Sequence, residues 1–441
     1  MSIAPKNKSL AYGDGTVPFS ATIIWLLPPT TNIDTGSGHN HWVFRSLTIM
    51  DFRTQPMASS PAYIIAARRS ALGRIGGLHK GRRIEELCAP VVAGALRDSG
   101  LKTDRVDEVI VGNATQGGNP ARLIALSSGL SDSVPAVTID RQCGSGLDAI
   151  LSAIRAIAAG DANVIVAGGA EALSTAPWRI AKPRTLYQLP RFTSFEPGPA
   201  EDGGVPPLVE ATEALAAHLG ISRAQQDAYA LRTHLKAEAA RTSKRFAGEI
   251  VPIRANAEEA RDQSAVEPDF KDLAQLAPYQ QPDGTLTPGN TSAMHDGAAM
   301  AVVVSERVWA ELGKPRALRL VAQAIRGVAP EEEASAPIEA MKSLNARLNG
   351  FKRSDIGIIE LSESSAAQAI AIAQSLELDE DLINPDGGAV ARGHPLGAAG
   401  AVLVARLFAR MARTEEKRPQ LGLAALGAQG GMGLAALFEA V

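Results

Sequence analysis

Two glycine-rich stretches of the 441-residue chain each carry one reactive side chain. Cys143 lies between Arg141 and Asp148, followed by Gly144 and Gly146, and His394 lies between Ala391 and Gly400, flanked by Gly393 and Gly397. Both stretches run into apolar, helix-forming sequence, so each reactive group is expected at a tight turn where a helix begins. A thiol in that position faces free backbone N–H groups and the positive end of the helix dipole, which favours the thiolate and lowers its pKa. A nearby imidazole lowers it further. Such a pair is suited to nucleophilic attack on an activated carbonyl, giving an acyl-cysteine, provided aligned donors hold the oxyanion.

The elements that must position this pair follow from the hydrophobic pattern. From Ala62 onward, short apolar strands alternate with amphipathic helices, the rhythm of a layered α/β protein. Strands are expected at Tyr63 to Ala67, Val109 to Gly112 and Asn163 to Ala167, the last closed by Gly168 and Gly169. A helix from Glu85 to Ser99 places Leu87, Val91, Val92 and Leu96 on one face, with Cys88 as a packed apolar residue beside them. After Cys143 a second helix buries Leu147, Ile150, Leu151, Ile154 and Ile157. The C-terminal third repeats the order: a strand from Ile358 to Leu361, a helix from Ser365 to Leu376, a glycine turn into an apolar helix from Gly393 to Arg413, and a strand from Leu421 to Leu426. Gly430, Gly431 and Gly433 then form a tight turn before Leu434 to Phe438.

Gly112 and Cys143 are 31 residues apart, and Leu361 and His394 are 33 apart, which points to an internal duplication. Packing two copies of one unit together would bring equivalent turns to a shared centre. Between the halves, roughly Leu173 to Ser292, the sequence is rich in Pro, Gln, Ala and charge and breaks the repeat; it is expected to form a substrate-binding loop domain. Its one clear helix runs from Arg223 to about Arg241 with Ser222 as N-cap. The domains are thus read as 61–172 plus 293–313, 173–292 and 314–441.

Composition excludes several classes. With 45% hydrophobic and 21% charged residues and a net charge of −3, the chain has a large core and no electrostatic reason to bind nucleic acid or an anionic membrane. Two cysteines cannot make a disulfide framework, and no Cys/His spacing suits a metal, so no metal and a reducing, cytoplasmic location are expected. Residues 1–60 read either as a disordered extension or as the product of a start codon placed too early, with Met50 or Met57 as the alternatives. The short apolar run from Ile23 to Leu27 is far below the roughly 20 residues a membrane span needs.

Taken in order, several motifs resemble those of the thiolase family: Arg69 to Gly73, Gly112 and Asn113 with Asn119 to Arg122, the Cys143 turn, Gly168 to Ser174, Gly289 to Ala298 and the His394 turn. The resemblance covers about Ala62 to Val441. It implies a five-layered αβαβα fold of two similar halves with an inserted loop domain, homodimers or homotetramers, and acyl transfer between coenzyme A thioesters with no permanently bound cofactor. By the same resemblance, Cys143 is the nucleophile, His394 activates it and helps bind the thioester oxygen, and Ser292 contacts the pantetheine arm of coenzyme A. His295 has no role in this reading beyond surface or packing.

The chain departs from the family pattern in three places. The second cysteine of carbon-bond-forming thiolases is replaced by Gly427, in the turn from Leu426 to Gly433. The family's Asn-Glu-Ala-Phe motif corresponds to Ser362, Glu363, Ser364 and Ser365, so a serine hydroxyl stands where an asparagine holds an oxyanion-hole water. Val266, Glu267 and Pro268 stand where an Arg-Pro pair is common near the coenzyme A nucleotide. Ser362, Glu363 and Gln429 are therefore the candidates for an oxyanion hole or a replacement base. The leading expectation is an acyl-CoA C-acyltransferase working through acyl-Cys143. Decarboxylative condensation, thioester hydrolysis and a catalytically weak acyl-CoA-binding subunit are the alternatives.

Overall fold

Eleven consecutive buried residues, His295–Ser305, form the strand on which one half of the molecule is hung. Such unbroken burial, apolar from Gly297 to Val304, fits a strand covered on both faces. The computed structural model describes residues 60–183, 185–193, 208–254, 258–263, 273–280, 282–348, 353–414 and 418–441. Nearly all of the expected N-terminal extension, and the loop containing Val266, Glu267 and Pro268, lie outside the described residues.

The N-terminal half contains strands β1 (Ala62–Arg69), β2 (Glu108–Gly112), β3 (Ala136–Ile139), β4 (Val164–Glu171) and β5 (His295–Ser305), with helices α1 (Ile84–Ser99), α2 (Pro120–Ser127) and α3 (Ser145–Ala159). Helices α4 (Leu208–His218) and α5 (Arg223–Thr242) belong to the intervening region. The C-terminal half contains β6 (Leu318–Gly327), β7 (Ile358–Leu361), β8 (Leu421–Ala428) and β9 (Met432–Ala440), with α6 (Ala336–Ala346), α7 (Ala366–Ser375) and α8 (Ala399–Phe408). Ser222 caps α5 as expected, accepting from Gln225 N while the Gln225 side chain returns to the cap backbone.

Strand order shows the duplication directly. Across the N-terminal half it is β1-β5-β4-β2-β3, and across the C-terminal half β6-β9-β8-β7. In both, the first two pairings are antiparallel and the next parallel. The counterpart of β3 is reduced to a parallel bridge between Ile359 and Ile383. The two half-sheets meet through only two residue pairs, Tyr63 with Arg319 and Ile64 with Leu318.

Three apolar cores separate five layers. One side of the N-terminal half-sheet packs on α1 and α2 through Val91, Val92, Val109 and Val166. One side of the C-terminal half-sheet packs on α6 and α7 through Met341, Ile370, Leu423 and Leu437. Between the half-sheets lie α3 and α8, whose Leu147, Ile150, Leu151, Leu403 and Leu407 share a core with Ile165, Val303, Leu426 and Phe438.

Gly168 and Gly169 do not close β4; they lie inside it. A Cβ on Gly168 would come within 2.0 Å of Ala299 O on β5, and one on Gly169 within 2.5 Å of Gly397 O. Close approach of backbone, not a chain reversal, requires glycine there.

Charge is also built into the middle of the fold. Arg406 on α8 is fully buried, pairs with Glu249 and Asp386, lies 3.8 Å from Glu360 and stacks over the Phe246 ring at 4.9 Å. Glu249 also pairs with Arg69. Burial lifts the Glu360 carboxyl to about 7, against the opposing pull of Arg406. Arg406→Met removes the cation that three buried carboxylates share, and breaking such a cluster costs about 3–5 kcal/mol. Thermal unfolding of the variant is expected several degrees below wild type; an unchanged midpoint would show that the cluster is energetically neutral.

Candidate active site

The turn that carries Cys143 is held by its own side chains. Ser145 Oγ accepts from Arg141 N at 2.7 Å and donates to Gln142 O at 2.6 Å, and Gln142 is forced to φ of +50°. A non-glycine residue in that region stores strain, here at the residue before the thiol. α3 begins two residues after Cys143. The His394 turn is anchored in both directions, by His394 N to Ala293 O and His295 N to His394 O. Gly393, at φ of +95°, lies against the His295 ring, where a Cβ would come within 2.2 Å. His295 is therefore a packing residue under the histidine turn, fully buried, with its ring nitrogens against Ala293 O and Gln263 O.

The two turns meet because the helices behind them touch. A Cβ on Gly146 would sit 2.8 Å from Gly397 O, and one on Gly400 would sit 2.6 Å from Leu147 Cβ. Glu171, at the end of β4, ties the halves together by accepting from Gly397 N, Ala114 N, Thr115 N and Asn113 Nδ2.

Cys143, His394, Ser292, Ser362, Gly427 and Gln429 line one open cavity of about 190 Å³. Apolar walls come from Leu208, Val209, Leu286, Met294 and Leu396, and polar ones from Tyr279, Thr291, Ser364, Gln368 and Glu333. Ser362 Oγ lies 3.2 Å from His394 Nδ1, so with Nδ1–H donating to the serine the Nε2 lone pair is available. Ser292 Oγ donates to Ser364 O at 3.2 Å.

Glu363 is not in this cavity. Its carboxylate takes hydrogen bonds from Tyr229 Oη, Thr233 Oγ1, Asn384 Nδ2 and Val390 N, and it is packed under Gly388. It joins α5 to the C-terminal half and is not placed to act as a base on a substrate at Cys143. Gln429 does line the cavity, but an amide does not exchange protons at neutral pH; what it directs at the sulfur is its backbone N–H.

The electrostatics differ from the expected ready-made thiolate. Burial pushes the Cys143 thiol up to about 12, and the Glu333 charge adds to that shift. Backbone N–H groups of Gln429 and of Cys143 itself oppose it without overcoming it. Burial, then the nearby His295, pulls His394 down to about 4. Both shifts favour the neutral forms, because burial against apolar walls penalises charge on either group. Cys88 also rises to about 12, from burial alone, in the core beneath α1.

Sequence reasoning missed Glu333. It follows exposed Glu331 and Glu332 in a short 3₁₀ segment and has no motif, so the run reads as a solvated acidic stretch, yet Glu333 itself is only 3% exposed.

Residues 62–307 match the family model of the thiolase N-terminal domain, and residues 314–440 match that of the thiolase C-terminal domain. The chain belongs to the thiolase family. As a thiolase it is an acyl-CoA C-acyltransferase. It is similar to the beta-ketoadipyl-CoA thiolase of Pseudomonas putida, with 36% identity covering 86% of this chain and 99% of the relative. It is also similar to the acetyl-CoA acetyltransferase of Allochromatium vinosum, with 36% identity covering 85% and 98%. The crystal structure of the Bacillus anthracis acetyl-CoA acetyltransferase superposes with a TM-score of 0.81 at 33% identity, covering 87% of this chain and all of the other.

A neutral thiol that must lose its proton on demand predicts a pH signature. Alkylation of Cys143 by iodoacetamide, followed by intact mass, is expected to rise about tenfold per pH unit from 7 to 10 without a plateau, because the thiolate fraction keeps growing below a pKa of about 12. A plateau near neutral pH would instead reveal a preformed thiolate and imidazolium pair.

Proposed function

We propose that Cys143 takes the acyl group from an acyl-CoA thioester, with His394 Nε2 accepting the thiol proton as attack begins. The observation that carries this is that Cys143, His394 and Gln429 line one largely apolar cavity. A neutral imidazole suits the role, since a histidine already protonated could not accept. The N–H groups of Cys143 and Gln429 then become the donors for the oxyanion of the tetrahedral intermediate. Losing one donor of this kind typically costs about 10²–10³ in rate. Ser362 holds the His394 ring in its working tautomer, and Ser292 meets the pantetheine arm at the cavity wall.

We further assign the acyl group to a short, uncharged class. The described residues lining the cavity include no Arg or Lys that would pair with a second carboxylate. A homodimer or homotetramer is supported by apolar residues left exposed on the edge of the N-terminal half, Leu123, Leu126 and Val137, and on the hairpin of Arg179–Ala181 with Arg191–Thr193, notably Trp178 and Phe192. No described helix is long and apolar enough to cross a membrane. We place the enzyme in the cytoplasm, where acyl-CoA and coenzyme A are its small-molecule partners and no bound cofactor or metal is needed.

The test is thiolysis of acetoacetyl-CoA by coenzyme A, read together with the mass of the acyl-enzyme. Wild type is expected to turn over and to carry an acetyl group, and Cys143→Ala to do neither. Acetoacetyl-CoA is expected to exceed 3-oxoadipyl-CoA in kcat/KM by at least about tenfold, the equivalent of about 1.4 kcal/mol. A preference for the dicarboxylic substrate would overturn the assignment of acyl class. Ser362→Ala should slow acylation about tenfold, the loss of one hydrogen bond to the ring.

A further inference from the structure

Acyl transfer to Cys143 uses a nucleophile, a base and two donors, but making or breaking the carbon bond also requires a group that moves the proton of the α-carbon. Gly427 supplies no side chain for this. Among the described residues lining the cavity, Glu333 is the one acid. It comes from the 3₁₀ segment Pro330–Ser335 and is buried, and its Oε2 accepts from Gly430 N at 2.9 Å, which fixes the carboxylate against the same turn that carries Gly427 and Gln429.

Position 427 and the Glu333 segment are neighbours. A Cβ on Gly427 would lie 3.4 Å from Pro337 Cγ and 3.4 Å from Gln368 Nε2, and Gln368 Nε2 donates to the carbonyl of Ala334, the residue after Glu333. The carboxylate therefore reaches the cavity from the wall that position 427 faces. Its charge is felt at the Cys143 sulfur second only to burial. Cys143 and Glu333 thus line one cavity, the space in which a substrate α-carbon bonded to a carbonyl under attack at that sulfur is held.

We propose that Glu333 is the general acid and base for the α-carbon in this enzyme, in the absence of a side chain at 427. The assignment rests on the acyltransferase reading of Cys143 and His394. In the condensing direction, Glu333 carboxylate takes a proton from C2 of acetyl-CoA. The C2 electron pair attacks the carbonyl of acyl-Cys143, the carbon–sulfur bond breaks, and the leaving thiolate is neutralised by the proton that Glu333 took from C2, relayed by way of His394, so both groups return to their starting states. In the cleaving direction, Cys143 loses its proton to His394 and adds to the C3 carbonyl, that proton passes on to the Glu333 carboxylate, the C2–C3 bond breaks toward C2, and protonated Glu333 delivers the proton there. No oxidant, reductant or further reactant is needed.

Two exchange reactions separate the roles. Exchange of labelled coenzyme A into acetyl-CoA reports acylation of Cys143 and needs no proton from C2, whereas deuterium uptake at C2 of acetyl-CoA in D2O reports the α-carbon base. Glu333→Gln keeps an acceptor for Gly430 N, and because losing its charge eases formation of the Cys143 thiolate, the first reaction is expected to persist at or above the wild-type rate. The second reaction and acetoacetyl-CoA thiolysis are expected to fall about 10²–10⁴-fold, the usual contribution of a positioned acid or base. Retention of C2 exchange by the variant overturns the assignment of Glu333 alone. Equal loss of both reactions also overturns it, by showing a structural role. A wild-type enzyme that fails to exchange coenzyme A overturns the acyltransferase reading itself, and the role of Glu333 with it.

Discussion

The structure depends on one close approach, the contact between the N-terminal ends of α3 and α8. Gly146 faces the Gly397 carbonyl, Gly169 faces the same carbonyl from β4, and Gly400 faces Leu147, at distances no Cβ could occupy. Cys143 lies three residues before Gly146, and His394 three before Gly397. Equal offsets from one contact bring the two side chains into a common cavity. Glu171 secures the arrangement by holding the N–H of Gly397 with a carboxylate that belongs to the other half. Burial lifts this carboxyl to about 7, although several donors oppose the shift.

Bringing two helix starts together has a second consequence, the burial of the His394 ring and the partial burial of the Cys143 thiol. Helix dipoles and N–H groups favour a thiolate, but desolvation wins at Cys143, and the same desolvation keeps His394 neutral. A buried acid in the same cavity, Glu333, adds to the penalty on the thiolate.

The region between the halves contributes walls rather than reactive groups. α4 supplies Leu208, Val209 and Thr212 to the cavity. α5 is fastened to the C-terminal half by Tyr229 and Thr233 on Glu363. This explains why a glutamate beside a site serine has no catalytic position: its lone pairs are spent joining two parts of the fold.

Local chemistry made much of this protein legible in its sequence. Hydrophobic periodicity marked most core strands and helices within a few residues, Ser222 and Gln225 announced the start of α5, and the two glycine turns pointed to Cys143 and His394, which line one cavity. The glycines of β4 were misread as a strand end, since a glycine demanded by a facing backbone looks the same in sequence as one demanded by a turn. Glu363 and Glu333 show the deeper limit. Both are glutamates with nothing in their neighbouring residues to say which way they face, and only the packing of distant segments turns one toward α5 and the other into the cavity. The protonation state of the thiol was likewise decided by tertiary structure, because helix-end effects are local in sequence, whereas the desolvation that outweighs them comes from every segment that closes around the sulfur.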